Sequence, residues 1–421
     1  MFTLDWKVMA ADVAHLRELA KRVREAAESE LNRERIRRWY AHDENRGERP
    51  LILTETDGGI GMVLPDYVPQ CSEPWAQAQE WGLIGTLMHH EVITDDAPIE
   101  PWINCGWQTT RSGYGVETHA TQPTTGGTRG AYHIDAVLTD LERDFEKLRP
   151  ATFTVNRESS LAVKTQLEEV YDGILGVRMR GNPWWTMGLT WTAILYIGLE
   201  GLMLDMYDQP EALHRFMKFL SDENLRFLDW MEAEGLLHLN NENDYCGSGS
   251  RGYTRRLPGP DFDGRVRTRH MWTLLESQET VGVGPELYEE FIFPYENAIA
   301  QRFGSVYYGC CEPVNTRWHV LEQMAGLKRV SVSPWCDEDF MAEACGTQYV
   351  YSRKPNPALV STERFDEAVI RADLRKTIEV TKAHRCSTEI VMKDVHTLNN
   401  EPDRLARWVQ VAREEVAKAY D

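Results

Sequence analysis

The sequence predicts an α/β fold, a (β/α)₈ TIM barrel with an N-terminal helical extension and elaborated early loops. Short apolar runs alternate with helical patterns over several hundred residues, which favours a barrel over a β-sandwich. Several runs have no polar–apolar alternation, as expected of parallel strands that are buried on both faces. The chain also lacks a GxGxxG or GxxxxGK[ST] motif, which weighs against a doubly wound open sheet.

The N-terminal segment predicts one long amphipathic helix over residues 8–40. Leu16, Leu19 and Val23 recur at steps of three and four residues along it. We expect this helix to pack outside the barrel or against another subunit, which is compatible with a homodimer. The predicted domains are a helical extension over residues 1–48 and a single (β/α)₈ barrel catalytic domain over residues 49–421. Barrels reach this length as one domain.

Strands and helices then alternate along the chain. The predicted strands are 51–54, 153–155, 174–179, 236–240, 306–308, 329–332, 349–351 and 389–392. The predicted helices after residue 200 are 210–234, 285–303, 316–325, 365–382 and 403–419. Residues 57–135 predict loops with a β-hairpin, and the glycine-rich stretch 241–264 predicts a long loop of the kind that is often functional.

Composition excludes several classes of partner. The 421 residues carry a net charge of −20, which repels nucleic-acid phosphates and anionic lipid, so we expect no nucleic acid and no membrane as partners. The most apolar stretch is interrupted by Glu200 and Asp205, so it predicts no membrane span. The first 30 residues carry charges throughout and predict no signal peptide. Eight cysteines without disulfide-framework spacing indicate reduced thiols, and we expect a cytoplasmic protein.

Polar residues crowd the carboxyl ends of the predicted strands, which converge on one mouth in a barrel. Asn241 and Glu242 follow LLHLN and suit metal or polar-substrate binding, with a solvated turn as the alternative. Cys310, Cys311 and Glu312 follow VYY-Gly, where thiolates can bind zinc if other ligands join them. A pair of small buried residues, or a redox-active vicinal pair, are the alternatives for the two cysteines.

The later strand ends are equally dense in polar groups. SVSPW and YVYSRKPNPA place Ser333, Trp335, Arg353 and Lys354 at neighbouring ends, where a cation can hold a substrate carboxylate or phosphate or form a surface salt bridge. EIVMKDVHT supplies an amine, a carboxylate and an imidazole within four residues, a good set for acid–base work or for closing a loop. These residues are Lys393, Asp394 and His396.

A further candidate is the acid-rich stretch ESQET, which precedes a helix near Pro285. Its Glu276 and Glu279 are interpreted either as ligands or as favourable charges near a helix start.

The C-terminal half resembles the uroporphyrinogen decarboxylase superfamily. The resemblance rests on VYYGCCEP, LKRVSVSPW, YVYSRKPNPA and EIVMKDVHT in that order, together with the earlier stretch WWTMGLTWTAILYIGLEGLMLDMYDQPEALHRFMKFL. It covers residues 150–415 and implies a (β/α)₈ barrel. True decarboxylases of this superfamily have an arginine-rich segment near the first strand, where this chain reads LILTETDGGIGMVLPD with no arginine. The chain is therefore closer to the corrinoid-linked methyltransferase branch.

That branch implies a zinc ion held by a His-x-Cys element and a late cysteine. In this chain the His-x-Cys element matches Gly309–Cys310–Cys311, so Cys311 is kept and glycine stands in place of the histidine. The position of the late cysteine matches Lys393–Asp394, where no cysteine is present. The resemblance therefore implies a rearranged metal site, for which we expect Cys311, Cys310 and Glu242 as ligands. Asp394 or His396 are alternative ligands, and a metal-free site is the other alternative. A site with more carboxylate and fewer thiolates is a harder Lewis acid, which favours activation of an oxygen or nitrogen leaving group.

The expected function is a metal-assisted methyltransferase that moves a methyl group from a small methoxy- or methylamine-type substrate to a corrinoid cofactor or corrinoid protein. The expected catalytic residues are Asp394, His396, Lys393 and Glu312. The expected substrate-binding residues are Trp184, Trp335, Ser333, Arg353, Lys354 and Asn241. The alternatives are a decarboxylase or lyase that acts on a small aromatic or heterocyclic acid without corrinoid, and a non-catalytic binding barrel. The methyltransferase hypothesis requires Glu242, Cys311, Lys354 and Asp394 to share one cavity.

Overall fold

The computed structural model describes residues 6–121, 133–181 and 184–420, and its largest sheet has six parallel strands. The strands of this sheet are β1 (Leu51–Thr54), β10 (Trp272–Leu275), β11 (Ser305–Tyr308), β12 (Leu327–Val332), β13 (Val350–Arg353) and β14 (Thr388–Met392), in the order β1-β14-β13-β12-β11-β10. All residues of five of these strands are buried, and β12 is buried over its last four residues. The unbroken apolar runs therefore predicted parallel, doubly covered strands correctly.

At both edges of this sheet, side chains form several of the backbone hydrogen bonds that a neighbouring strand would otherwise form. Asn240 accepts the Trp272 N–H (2.8 Å) and donates to its carbonyl (3.0 Å), so the predicted strand 236–240 is wrong: an amide side chain makes the contact in place of a ladder. At the other edge, Asp95 and Asp96 accept the backbone N–H groups of Thr54 and Ile52. The observed architecture is a mixed α/β fold consistent with a TIM-like arrangement, and a closed eight-stranded barrel stays a prediction.

The remaining strands form small two-stranded sheets. They are β2 (Trp102–Cys105) parallel to β7 (Gly176–Met179), and three antiparallel pairs: β3 (Thr109–Arg111) with β6 (Phe153–Val155), β4 (His119–Thr121) with β5 (His133–Asp135), and β8 (Tyr245–Gly247) with β9 (Ser250–Arg251). The pair β4–β5 agrees with the hairpin predicted within residues 57–135, although 122–132 lie outside the described residues. The predicted strand 153–155 exists, but it pairs antiparallel with β3 outside the main sheet.

The helices cover the sheet. They are α1 (Ala10–Glu28), α2 (Glu30–Asp43), α3 (Pro74–Met88), α4 (Leu141–Asp144), α5 (Arg157–Tyr171), α6 (Thr190–Asp208), α7 (Pro210–Ala233), α8 (Pro285–Phe291), α9 (Phe293–Ala300), α10 (Trp318–Leu321), α11 (Glu338–Cys345), α12 (Ala358–Ser361), α13 (Glu367–Ala383) and α14 (Arg404–Tyr420). The main apolar core packs α6 to α9 against β10 to β13, and a second core packs α13 and α14 against β1 and β14.

The predicted N-terminal helix is two helices. Ser29 is extended and accepts the Asn32 N–H, so it ends α1 and caps α2. The last residues of α2 are buried against the main sheet: His42 Nε2 lies 3.0 Å from a Glu389 carboxylate oxygen, and the Arg329 guanidinium pairs with Asp43 at 3.0 Å. The end of the extension thus contributes to the interior of the sheet, and the boundary near residue 48 stays a prediction.

Helix α6 carries a kink that shapes the region beside the sheet. Gly198 has φ +72° and ψ 164° within this otherwise helical segment, a conformation that side chains other than glycine rarely adopt. The kink lets the two halves of α6 turn around a cavity. No helix within the described ranges combines the length and the apolar character needed to cross a membrane.

Candidate functional site

The two adjacent cysteines lie where β11 ends, on a sharply turned backbone. Gly309 has φ +97°, and a Cβ there would lie 3.2 Å from Ser331 Cβ. This glycine redirects the chain directly after the buried strand, so the next two residues leave the sheet. The Sγ atoms of Cys310 and Cys311 are 3.6 Å apart, and Cys310 is buried while Cys311 is half-buried.

The end of β14 brings an ammonium and a carboxylate to the same place. The Lys393 Nζ lies 3.5 Å from Cys310 Sγ and 3.6 Å from Asp394 Oδ1, and the Cys311 thiol donates to Asp394 Oδ2 at 3.7 Å. Asp394 adopts φ +58°, which aspartate tolerates better than most residues. The strand-end pattern therefore predicted this cluster correctly, and we call Cys310, Cys311, Lys393 and Asp394 the thiol–lysine cluster.

The two thiols differ in their acidity because their surroundings differ. The hydrogen bond from Cys311 and the Lys393 ammonium lower the pKa of Cys310, although burial opposes this shift. The same contact with Cys310, together with burial, raises the pKa of Cys311 well above its usual range. Burial tends to lower the pKa of Lys393, but Cys310 and Asp394 outweigh it and raise that pKa. The cluster thus favours the thiolate form of Cys310 beside the Lys393 ammonium, and the neutral thiol form of Cys311.

A cavity of about 1460 Å³ opens beside this cluster, and Cys311 lies on its wall. Its apolar wall comes mainly from the kinked helix α6, with Ile194, Ile197, Leu199, Met203 and Leu204 among the lining residues. Trp191 lines it too and is 38% exposed. A concave, mostly apolar space with a few polar groups is the usual form of a small-molecule site.

Glu279 lies on the wall of this cavity, and a second carboxyl group, that of Glu276, is buried behind it. Glu279 lines the cavity and accepts a hydrogen bond from the Thr190 hydroxyl at 2.6 Å. Glu276, one turn earlier, is fully buried, and its Oε1 has no hydrogen-bond partner among the described residues. Burial and the negative charge of Glu279 raise the pKa of Glu276 to about 9, and burial also raises the pKa of Glu279. We call Glu276 and Glu279 the carboxyl pair.

Several predicted site residues lie elsewhere because charged or polar partners hold them. Glu242 pairs with Arg178 at 3.0 Å and with Arg180 at 3.3 Å, and no contact brings it to the cysteines. Arg353 points away from the cavity into a buried ion pair with Glu338 on α11. The described contacts of three further predicted residues are as follows: Asn241 donates to the Leu257 carbonyl, Ser333 accepts from the Trp335 N–H, and Lys354 donates to the Tyr307 hydroxyl inside the sheet.

The predicted tryptophans do not line the cavity. Trp184 packs edge-on against Phe227 and Phe303 in the main core, with ring centroids 6.2 Å apart in both cases. Trp335 lies on the surface and is 67% exposed. The shared cavity proposed for Glu242, Cys311, Lys354 and Asp394 is thus not formed as a whole: only Cys311 and Asp394 are in contact.

Two predicted catalytic residues also differ from expectation. Glu312 is fully buried, and its two oxygens accept the N–H groups of Ser277 and Cys310 at 2.9 Å each. Glu312 therefore holds together the backbone segments that follow β10 and β11, and neither of its oxygens faces the cavity. His396 is exposed, two residues beyond Asp394.

The described side chains do not fit the zinc site that the resemblance implies. Cys310, Cys311 and Asp394 offer donors, but the Lys393 ammonium already lies beside two of them and would repel a metal ion. Within residues 6–121, 133–181 and 184–420, no group of three or more His, Cys, Asp or Glu side chains is placed to hold a metal ion. Cys311, Cys310 and Glu242 are therefore not assembled as a ligand set.

Sequence reasoning gave α6 no role at the site. Its apolar residues run around the whole helix, a pattern typical of a buried helix, and only the glycine at position 198 marked the kink. The sequence identified Glu279 as part of an acid-rich stretch. It could not distinguish a site residue from an acidic residue that stabilises the start of a helix.

Comparisons with known proteins identify a fold and no family. No family model matches the chain, and no curated protein matches it. Among solved structures, the chain is similar to a methyltransferase from Methanosarcina mazei, with a TM-score of 0.50 and 12% sequence identity, over 90% of this chain and 97% of that chain. At this identity the similarity concerns the fold alone.

Proposed function

We propose that the chain is a methyltransferase of the corrinoid-linked branch of the uroporphyrinogen decarboxylase superfamily. It moves a methyl group from a small methoxy- or methylamine-type donor to a corrinoid carried by a partner protein. The observation that carries the proposal is the large cavity with a cysteine on its wall, formed where the strand ends that resemble this superfamily meet. The similarity in fold to a methyltransferase supports it.

The cavity suits a methyl donor because both apolar and polar side chains line it. The apolar residues of α6 bind the methyl-bearing part and exclude water, while Glu279 and the thiol of Cys311 face the heteroatom. Since its pKa is raised, Cys311 stays a neutral thiol and can donate a hydrogen bond to that atom. Asp394 accepts the single proton of this thiol in the structure, so a bound methyl donor must replace Asp394 as its acceptor.

The thiol–lysine cluster preorganises this end of the cavity. Lys393 compensates the negative charge of Cys310 and of Asp394, so the region beneath Cys311 holds a fixed set of dipoles and charges. A reduced corrinoid, when bound, supplies the nucleophile that accepts the methyl group. Exposed apolar residues at the rim, among them Leu199, Leu204 and Tyr207, give a partner protein a surface to contact beside the opening.

The alternative decarboxylase function has less support. Among the described residues that line the cavity there is no lysine or arginine to hold a substrate carboxylate. Arg353 and Lys354, the expected anion-binding residues, are occupied in the interior.

Anaerobic incubation with chemically reduced cobalamin tests the proposal. We expect trimethylamine, tetramethylammonium or 2-methoxyphenol to convert cob(I)alamin to methylcobalamin, followed by its visible spectrum. Cys311→Ala should slow this conversion by about tenfold or more, as expected for loss of a hydrogen-bond donor at the reacting atom. Cys336→Ala is the matched control, because Cys336 is also half-buried but lies outside the cavity. Equal rates for the two variants would contradict the assigned role of Cys311.

A further inference from the structure

Carboxylates predominate among the ionisable side chains that the structure describes on the cavity wall, where His133 is the one basic group. Four carboxylates line it, those of Glu200, Asp205, Asp208 and Glu279, and the described lining residues include no lysine or arginine. Within the described part of the chain none of these four carboxylates takes part in an ion pair, unlike Glu100, Asp222 and Glu414 elsewhere on the protein. A cavity lined by one sign of charge attracts ligands of the opposite sign.

The carboxyl pair provides a second and independent observation. Glu276 is completely buried, its Oε1 is without a hydrogen-bond partner among the described residues, and it lies beside the cavity-lining Glu279. A buried carboxyl oxygen without a partner is costly and normally avoided. Such groups persist where a ligand or a reaction uses them. The Thr190 hydroxyl and the side chain of Gln278 both form hydrogen bonds with Glu279, which hold this carboxyl group on the cavity wall.

An aromatic ring and aliphatic side chains complete the surroundings. Trp191 and the α6 residues Ile194, Ile197 and Leu204 line the same cavity. Tryptophan is the best aromatic partner for an organic cation, and it binds methylated ammonium groups whose charge is spread over apolar methyl surface. Carboxylate, indole and aliphatic carbon together are the three contacts such a cation needs.

We propose that this cavity binds a cationic, N-methylated ammonium compound, with Glu279 as its counter-ion and Trp191 as its aromatic wall. The proposal rests on the proposed function and names the substrate class that this function acts on. It selects the methylamine-type donor over the methoxy type.

The charge on such a donor also makes the reaction balance. The carbon–nitrogen bond breaks, its electron pair stays on nitrogen, and the amine leaves as a neutral molecule, while the methyl group bonds to the reduced corrinoid acceptor. No proton has to be delivered to the leaving group. A methoxy donor would instead leave as an anion, which the four carboxylates that line the cavity would destabilise by charge repulsion until it gained a proton.

Calorimetric titration of the purified full chain tests this proposal without corrinoid. The probes are tetramethylammonium chloride, its neutral near-isostere 2,2-dimethylpropan-1-ol and the anion 4-methoxybenzoate, at constant ionic strength. We expect tetramethylammonium to bind at least about tenfold more tightly than the alcohol. The reason is that only the cation gains the Coulomb attraction of a partly buried carboxylate. We expect no detectable binding of the anion.

Two variants locate the binding. Glu279→Gln should weaken tetramethylammonium binding by about tenfold and leave the alcohol unaffected. Glu289→Gln removes the same charge from an exposed position on α8 outside the cavity and should change neither affinity. Thermal melting of both variants verifies folding, and Trp191→Leu should weaken the cation by about fivefold.

The outcomes separate this inference from the proposed function. Equal affinity for the cation and the alcohol, or equal affinities of Glu279→Gln and Glu289→Gln, overturns the inference even if methyl transfer from a methoxy compound is observed. Selective cation binding that depends on Glu279 upholds it even if cobalamin is never methylated, in which case the proposed function fails alone.

Discussion

Replacing Glu276 by glutamine should make the protein more stable at neutral pH. The carboxyl is fully buried, and its pKa is raised from 4.5 to about 9 by burial and by Glu279. A carboxyl whose pKa is higher in the folded state stabilises the protein below pH 4.5, and that stability is lost as the pH rises towards 9. Between pH 4.5 and pH 7 the loss accumulates over about 2.5 pH units at about 1.4 kcal/mol each, so it reaches about 3.5 kcal/mol at pH 7. Glutamine has the same shape and does not titrate.

Urea denaturation at pH 5, 6, 7 and 8 measures this effect. The difference in free energy of unfolding between Glu276→Gln and the parent should be small at pH 5 and grow by about 1.4 kcal/mol per pH unit. Glu289→Gln, on the surface, is the control and should give a difference that does not change with pH.

A pH-independent difference between Glu276→Gln and the parent would refute this reasoning. It would mean that Glu276 ionises in the folded protein as it does in the unfolded chain. A destabilised variant at every pH would show instead that the carboxyl makes stabilising contacts in its buried position. If Glu276→Gln is more stable than the parent and binds the cation more weakly at pH 9, Glu276 contributes to ligand binding at a cost in stability.

Three further predictions concern the same site and its support. Tetramethylammonium should bind more tightly at pH 9 than at pH 6.5, since Glu276, which lies near Glu279, Glu296 and Glu312, loses its proton with a pKa of about 9. Calorimetry at both pH values tests this, and an affinity that falls as the pH rises would contradict it. Lys393→Met should raise the pKa of Cys310, because its counter-ion is lost, and thiolate absorbance followed against pH should show this, while the exposed Lys376→Met should not. Asn240→Leu should cost about 1–3 kcal/mol of stability in urea denaturation, because the N–H and carbonyl of Trp272 lose their partners; an unchanged midpoint would show that the edge of β10 is satisfied otherwise.

Much of the sheet could be predicted because its strands are apolar on both faces. β1, β11, β12, β13 and β14 coincide with predicted runs. β10 was not predicted, and the run 236–240 was predicted as a strand, because the amide of Asn240 takes over the backbone pairing with Trp272. Periodicity cannot reveal a side chain that replaces a ladder hydrogen bond.

The candidate site could be predicted in part. Parallel strands carry their polar ends to the same edge, so Cys311 and Asp394 meet although 82 residues separate them in the chain. Glu242 and Arg353 were placed there by the same reasoning but are held by ion pairs elsewhere. Which partner a charge finds depends on packing between distant elements. The wall formed by α6 was equally hidden, because it depends on the kink at Gly198.

A crystal structure of the protein with tetramethylammonium bound tests the central claim most directly. The cation is predicted to lie in the cavity beside Cys311, between the indole of Trp191 and the carboxylate of Glu279. Density for the cation only in another part of the molecule, such as the smaller pocket lined by His89 and Trp102, would contradict the placement of the site.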